Sequence, residues 1–139
     1  MKPIIATRYH DFCMGHTVTG HEGKCINLHG HNYRITFHCQ AQALDELGRV
    51  IDFSAIKATL CEWVEEHWDH RFMIWAQDPR AEGVLSMDAK AFTVPFNPTA
   101  ENIAAHMLED IAPTLLPPEI VLVKVELEET RKCGVTCEL

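Results

Sequence analysis

Cys25-Ile26-Asn27-Leu28-His29-Gly30-His31-Asn32-Tyr33-Arg34-Ile35-Thr36-Phe37-His38-Cys39 is the stretch from which the rest of the chain can be read. Over residues 31–39, apolar Tyr33, Ile35, Phe37 and Cys39 alternate with polar Asn32, Arg34, Thr36 and His38. A period of two marks a strand with one buried face. Residues i and i+2 of an extended chain project to the same side. His29 and His31 therefore share the face of Tyr33, Ile35 and Phe37, so two imidazoles point into the domain.

Working outward, residues 4–12 are rich in β-branched and aromatic side chains and read as a strand leading into a loop with Gly15, Gly20 and Gly23. Asp45-Glu46-Leu47-Gly48 reads as a turn. Asp52 or Ser54 can cap a helix reaching about Trp68, with Phe53, Ile56, Leu60, Trp63 and Val64 on one face. Residues 71–98 read mostly as loop, with a short strand at 91–96. Asn97-Pro98-Thr99 opens a second helix with Pro at an early position and Ile103, Met107, Leu108 and Ile111 facing inward. Pro113, Pro117 and Pro118 end it. In the last strand Val121, Val123, Val125 and Leu127 take the inward parity. The order predicts one α+β domain over residues 1–139 with an antiparallel sheet.

The chain has 139 residues, 47% of them hydrophobic, enough for an ordinary core. Twelve basic against twenty acidic residues give a net charge of −8, which argues against a nucleic-acid partner. No apolar run approaches the ~18 residues of a membrane span, and the first residues carry no signal-peptide core. Six cysteines without a secretory signal point to reduced thiols and a cytoplasmic protein.

Two inward imidazoles call for a metal such as zinc, which takes neutral imidazole and needs a third protein ligand. His16, across the glycine-bearing loop, is one candidate; Cys25, in a C-x3-H-x-H set, is the other. Asp69 beside His70 can set a histidine's tautomer and support proton transfer or thiol activation. Cys133 and Cys137 read as ordinary thiols. Glu129 continues the inward parity of the last strand, where a carboxylate needs a partner. Two adjacent N–H donors, as on Arg or on the 2-amino and N3–H edge of a pterin, would satisfy it.

In order, Phe12-x3-His16, Cys25-x3-His29-Gly30-His31, Asp52-Phe53, Asp69-His70, Asn97-Pro98-Thr99-Ala100-Glu101-Asn102 and Glu129-Thr130 resemble the 6-pyruvoyltetrahydropterin synthase and 6-carboxytetrahydropterin synthase family. The match spans residues 12–130 and looks closest to the bacterial 6-carboxy enzymes of queuosine precursor synthesis. The resemblance implies Zn2+ on His16, His29 and His31, with Cys25 as catalytic base rather than ligand. Asp69 and His70 would share the proton transfer, and Glu129 and Thr130 would hold the pterin. It further implies a tunnelling fold: a four-stranded antiparallel sheet with two helices on one face. Such sheets join into a trimeric barrel, and two trimers stack as a homo-hexamer with sites at the interfaces.

The implied reaction is that of a lyase converting 7,8-dihydroneopterin triphosphate to 6-carboxy-5,6,7,8-tetrahydropterin, with release of triphosphate and acetaldehyde. The alternatives are 6-pyruvoyltetrahydropterin synthesis from the same substrate and a non-catalytic metal- or pterin-binding protein. Lys24 and Arg34 are candidates for the triphosphate by proximity. Three stretches depart from the family pattern: Cys13-Met14-Gly15 replaces the usual small residues, Arg71-Phe72-Met73-Ile74 follows His70, and 75–92 is long.

Overall fold

The computed structural model describes residues 2–139; Met1, the first residue of the expected domain, lies outside them. Strands β1 (Ala6–His16) and β2 (His29–Ala41) pair antiparallel from Ala6↔Cys39 to His16↔His29. Tyr33, Ile35, Phe37 and Cys39 are fully buried, as their alternation requires. Helix α1 runs through Phe53–Ile56, Lys57–Cys61 and Glu62–His67, with a π-wound middle section. Asp52 caps it by accepting a hydrogen bond from the Ser54 N–H. Helix α3, comprising Ala100–His106, Met107–Ile111 and Ala112–Leu115, is built the same way and is capped by Thr99. Ile56, Leu60 and Val64 of α1 meet Ile103, Met107 and Ile111 of α3 over Phe12, Ile35, Phe37, Val125 and Leu127 of the sheet. Pro98 therefore precedes the cap of α3 rather than occupying its first turn. Pro113 sits inside its last segment, and the helix stops at Leu115, before Pro117.

The sheet has six strands rather than four, in the order β4-β3-β1-β2-β5-β6, and it is mixed. Strands β1, β2, β5 (Ile120–Thr130) and β6 (Cys133–Glu138) form the antiparallel part. Strands β3 (Arg71–Trp75) and β4 (Phe92–Val94) add to β1 in parallel. Residues 71–98 are thus not mostly loop: Phe72-Met73-Ile74-Trp75 is a short apolar run buried in the sheet. Its alternation sends Met73 into the main core and Ile74 into a second cluster with Ala81 and Val84 of α2 (Ala81–Met87). Both long helices lie on the main-core side, and α2 covers the other face of β3.

Strand β5 also corrects the expected parity. The register passes from His38↔Lys124 to Cys39↔Leu122, so Val123 is a bulge. Upstream of it Ile120 and Leu122 turn inward and Val121 is exposed; downstream Val125 and Leu127 are buried. Glu129 follows Val125 and Leu127 on the inward parity, and a second register shift, in the pairing of β5 with β6, falls at Glu129 itself.

Candidate metal centre and active-site cleft

The pairing of β1 with β2 sets His16 directly opposite His29, and His31 follows two residues along the same face. Their candidate ligand atoms all lie within 4.8 Å of one another. The ring centroids stand 4.6 Å (His16–His29), 5.1 Å (His16–His31) and 4.9 Å (His29–His31) apart. His16 Nδ1 donates to the Pro98 carbonyl at 2.7 Å, and His29 Nδ1 to the Asn27 carbonyl at 2.7 Å. A carbonyl can only accept, so in the neutral rings these bonds put the proton on Nδ1 and turn the Nε2 lone pair toward the cluster. All three Nε2 atoms are buried without a partner.

Burial pushes the His16 pKa down to about 4; the Pro98 bond opposes this, and His29 and His31 add to it. Burial likewise lowers that of His31, against the pull of Glu129. His16 and His31 are thereby held neutral, the form a metal takes. Glu129 Oε2 faces the cluster, 3.5 Å from His16 Nε2 and 3.9 Å from His31 Nε2. Unprotonated nitrogens confronting a carboxylate form a donor set for a divalent cation, so the residues present fit zinc.

Cys25 sits on a 3₁₀ turn, Lys24–Ile26, and shares a cleft of about 320 Å³ with Glu129, His21, Thr99, Glu101 and Cys133. Its thiol is half-buried and free, and no described cysteine is paired. The structure thus gathers His16, His29, His31, Glu129 and Cys25. Thr130 is exposed at the end of β5, where its hydroxyl accepts from the Lys132 N–H.

Asp69 and His70 lie elsewhere. They follow α1 and line a cleft of about 460 Å³ with Cys13, Asn32, Arg34 and Arg131. Glu65 of α1 and Tyr33 also line that cleft, which runs along the edge of β1, and His70 and His31 share an adjoining cleft of about 430 Å³; Cys25 lines neither. Asp69 accepts from the Cys13 N–H at 2.9 Å and bonds His70 Nδ1 at 2.6 Å. Burial opposes its ionisation, but these two bonds outweigh it and hold the carboxyl below its usual value. His70 takes a left-handed conformation, φ 58°, which a non-glycine residue rarely adopts and which marks functional sites. Arg34 forks onto Asp11 at 2.7 and 3.0 Å in the first of these clefts, which Cys25 does not line.

The family model for 6-pyruvoyl tetrahydropterin synthase matches residues 5–139. The chain belongs to that family. A 6-carboxy-5,6,7,8-tetrahydropterin synthase of Rickettsia bellii is 37% identical over 135 residues, covering 95% of this chain and 98% of the relative. The Rickettsia felis enzyme of the same name is 38% identical over 136 residues, with 95% and 98% coverage. An uncharacterized Wolinella succinogenes protein shares the fold, with a TM-score of 0.85 at 23% identity over 99% of both chains. The Caenorhabditis elegans 6-pyruvoyl tetrahydropterin synthase superposes with a TM-score of 0.72 at 25% identity, covering 100% of this chain and 97% of that one. The chain is therefore a tetrahydropterin synthase of this family.

Two features of this site escaped the reading of the residues. Tyr33 passed as a core residue, yet its buried hydroxyl has no partner and its ring stands edge-on to His31 at 5.4 Å. The Pro98 carbonyl, which orients His16, carries no signal in residue type.

Proposed function

We propose that this chain is a zinc-dependent 6-carboxytetrahydropterin synthase acting in the cytoplasm on the route to queuosine. It takes 7,8-dihydroneopterin triphosphate and one water to 6-carboxy-5,6,7,8-tetrahydropterin, releasing triphosphate and acetaldehyde. The observation that carries this reading is the convergence of three unpartnered imidazole nitrogens with Glu129, beside the cleft that holds Cys25. The near full-length likeness to enzymes bearing that name supports it.

His16, His29 and His31 hold the metal, His16 and His29 with their tautomers fixed by backbone carbonyls. Zinc there supplies a Lewis acid for the substrate's side-chain hydroxyls, which acidifies the neighbouring C–H groups. Cys25 removes a proton from the side chain, and Glu129 accepts the paired N–H donors of the pterin edge. Thr130 extends that pterin contact. Asp69 orients His70 to deliver or accept the second proton. Because the pair and Cys25 line different clefts within one chain, His70 serves the cleft of a neighbouring copy, in keeping with a homo-hexamer of two trimers.

The test is product analysis by mass spectrometry after incubating zinc-loaded protein with 7,8-dihydroneopterin triphosphate. A 6-carboxy product with acetaldehyde is expected. A 6-pyruvoyl product without acetaldehyde would replace this reading with the activity named for the Caenorhabditis elegans structure. No turnover at one zinc per chain would overturn both and leave a binding protein.

A further inference from the structure

The long segment after β3 places an ion pair between buried Asp78 and half-buried Arg80 behind the turn that carries Cys25. Asp78 is 4% exposed, and its carboxylate accepts from Arg80 Nε at 3.0 Å, Arg80 Nη2 at 2.8 Å and the Arg80 backbone N–H at 2.8 Å. Arg80 then reaches across: Nη1 donates to the Ile26 carbonyl at 2.6 Å and Nη2 to the Thr17 hydroxyl at 2.8 Å. Thr17 and Ile26 are the two ends of the turn, and Thr17 Oγ1 also donates to the Ile26 carbonyl at 2.6 Å. Inside the turn the Val18 N–H bonds the Cys25 carbonyl at 2.8 Å.

A second arm runs to the histidines. Thr19 Oγ1 donates to Asp78 at 2.7 Å, while Thr19 and Asn97 exchange two bonds of 2.9 Å. Asn97 precedes Pro98, whose carbonyl orients His16. One guanidinium–carboxylate pair thus ties together the chain on both sides of Cys25 and the segment that aims a metal-binding imidazole.

We propose that Asp78 and Arg80 are positioning residues for Cys25, setting its thiol against the histidine cluster and Glu129. This rests on Cys25 being the base. Proton transfer needs donor and acceptor within about 2.6–3.2 Å, so a turn free to shift by an ångström loses rate without losing its metal. The fork is what the task requires: only a planar guanidinium bonds Asp78 and both ends of the turn at once. Lysine in its place keeps the charge beside buried Asp78 but cannot make the span.

The test uses Arg80→Lys and Thr19→Val, which leave the Asp78 carboxylate with a cation, in zinc-loaded full-length protein. Arg80→Lys is expected to lower kcat about tenfold with KM little changed, and Thr19→Val to do so more mildly. Independently of turnover, the iodoacetamide alkylation rate of Cys25, resolved by peptide mass spectrometry, should rise about threefold or more as the turn loosens. Cys13, in the clefts that hold His70, should react at its original rate, and zinc per chain should stay constant. Unchanged Cys25 alkylation in both variants overturns the proposal. So does zinc loss in proportion to any change, since that would make the pair general support for the fold. If the parent protein shows no pterin turnover, the functional reading fails, while the alkylation result still decides the role of the pair.

Discussion

In protein stripped of metal, folding stability should fall as the pH is lowered from 7.5 to 5, and His16 should carry most of the fall. Its folded pKa of about 4 lies below the ordinary 6.5, because the buried imidazole resists charging. The unfolded chain binds the proton more readily, so stability is fully present above pH 6.5 and is lost as the pH falls toward 4. The difference of about 2.5 pK units corresponds to roughly 3 kcal/mol over the whole window, of which about 2 kcal/mol is lost by pH 5. His31 shifts in the same direction and adds to it. The depressed carboxylates Asp11, Asp45, Asp52, Asp69 and Asp78 lose their contribution only at lower pH, as each is protonated below the ordinary carboxylate value. The assay is urea unfolding in chelator at fixed protein concentration across pH 5–7.5. His16→Asn is the control, since the amide can still donate to Pro98 but cannot titrate. A stability flat to within about 0.5 kcal/mol, or the same slope in His16→Asn, would refute the argument.

Other outcomes follow from the same geometry. Cys25→Ala should retain one zinc per chain by metal analysis while activity falls about 10²–10⁴-fold; loss of zinc would make Cys25 a ligand. Mixing inactive Cys25→Ala with inactive His70→Ala subunits after co-refolding should restore turnover, because an assembled site would then draw an intact Cys25 and an intact His70 from different chains. Tyr33→Phe removes a buried hydroxyl without a partner, whose desolvation costs about 1–3 kcal/mol, so the variant should unfold at equal or higher urea concentration. Gly134→Ala should destabilise by about 1–3 kcal/mol in urea titration, because the added Cβ would stand 2.9 Å from the Leu127 carbonyl oxygen and 3.1 Å from Glu128 Cα, both backbone atoms.

How far residue patterns carry depends on whether a neighbour in sequence is also the neighbour in space. Alternation along β2 placed His29, His31 and Tyr33 on one face, and cross-strand register brought His16 to them; both are short-range rules. Strand β3 was hidden because its four apolar residues show no alternation, being covered on both faces by the main core and by α2. Strand β6 was hidden for the opposite reason: Cys133, Gly134 and Thr136 dilute its pattern, and only Val135 and Cys137 pack partly against the core. Val123 misled because a bulge changes the parity without changing composition. Asp78 and Arg80 gave no sign, since their partners at Thr17, Thr19 and Ile26 lie more than fifty residues away.

The position of Asp69 and His70 follows from the sheet rather than from the pair itself. His16 and His31 point to the helix side, while Cys13 and Asn32, one residue from β-partners on that side, point to the other. Asp69 is bonded to the Cys13 N–H and the His70 N–H to the Cys13 carbonyl, so the pair is fastened to the edge of β1, beside clefts that Cys25 does not line. His70 shares a cleft with His31 but none with Cys25. The His70 imidazole is 78% exposed, oriented by a carboxylate and held in a left-handed backbone conformation, yet it lines no described cleft with Cys25 of its own chain. Strain of this kind costs about 1–3 kcal/mol and persists where something makes use of it. The use consistent with a histidine and a thiol in separate clefts is a second copy of the chain presenting its Cys25 cleft to this histidine.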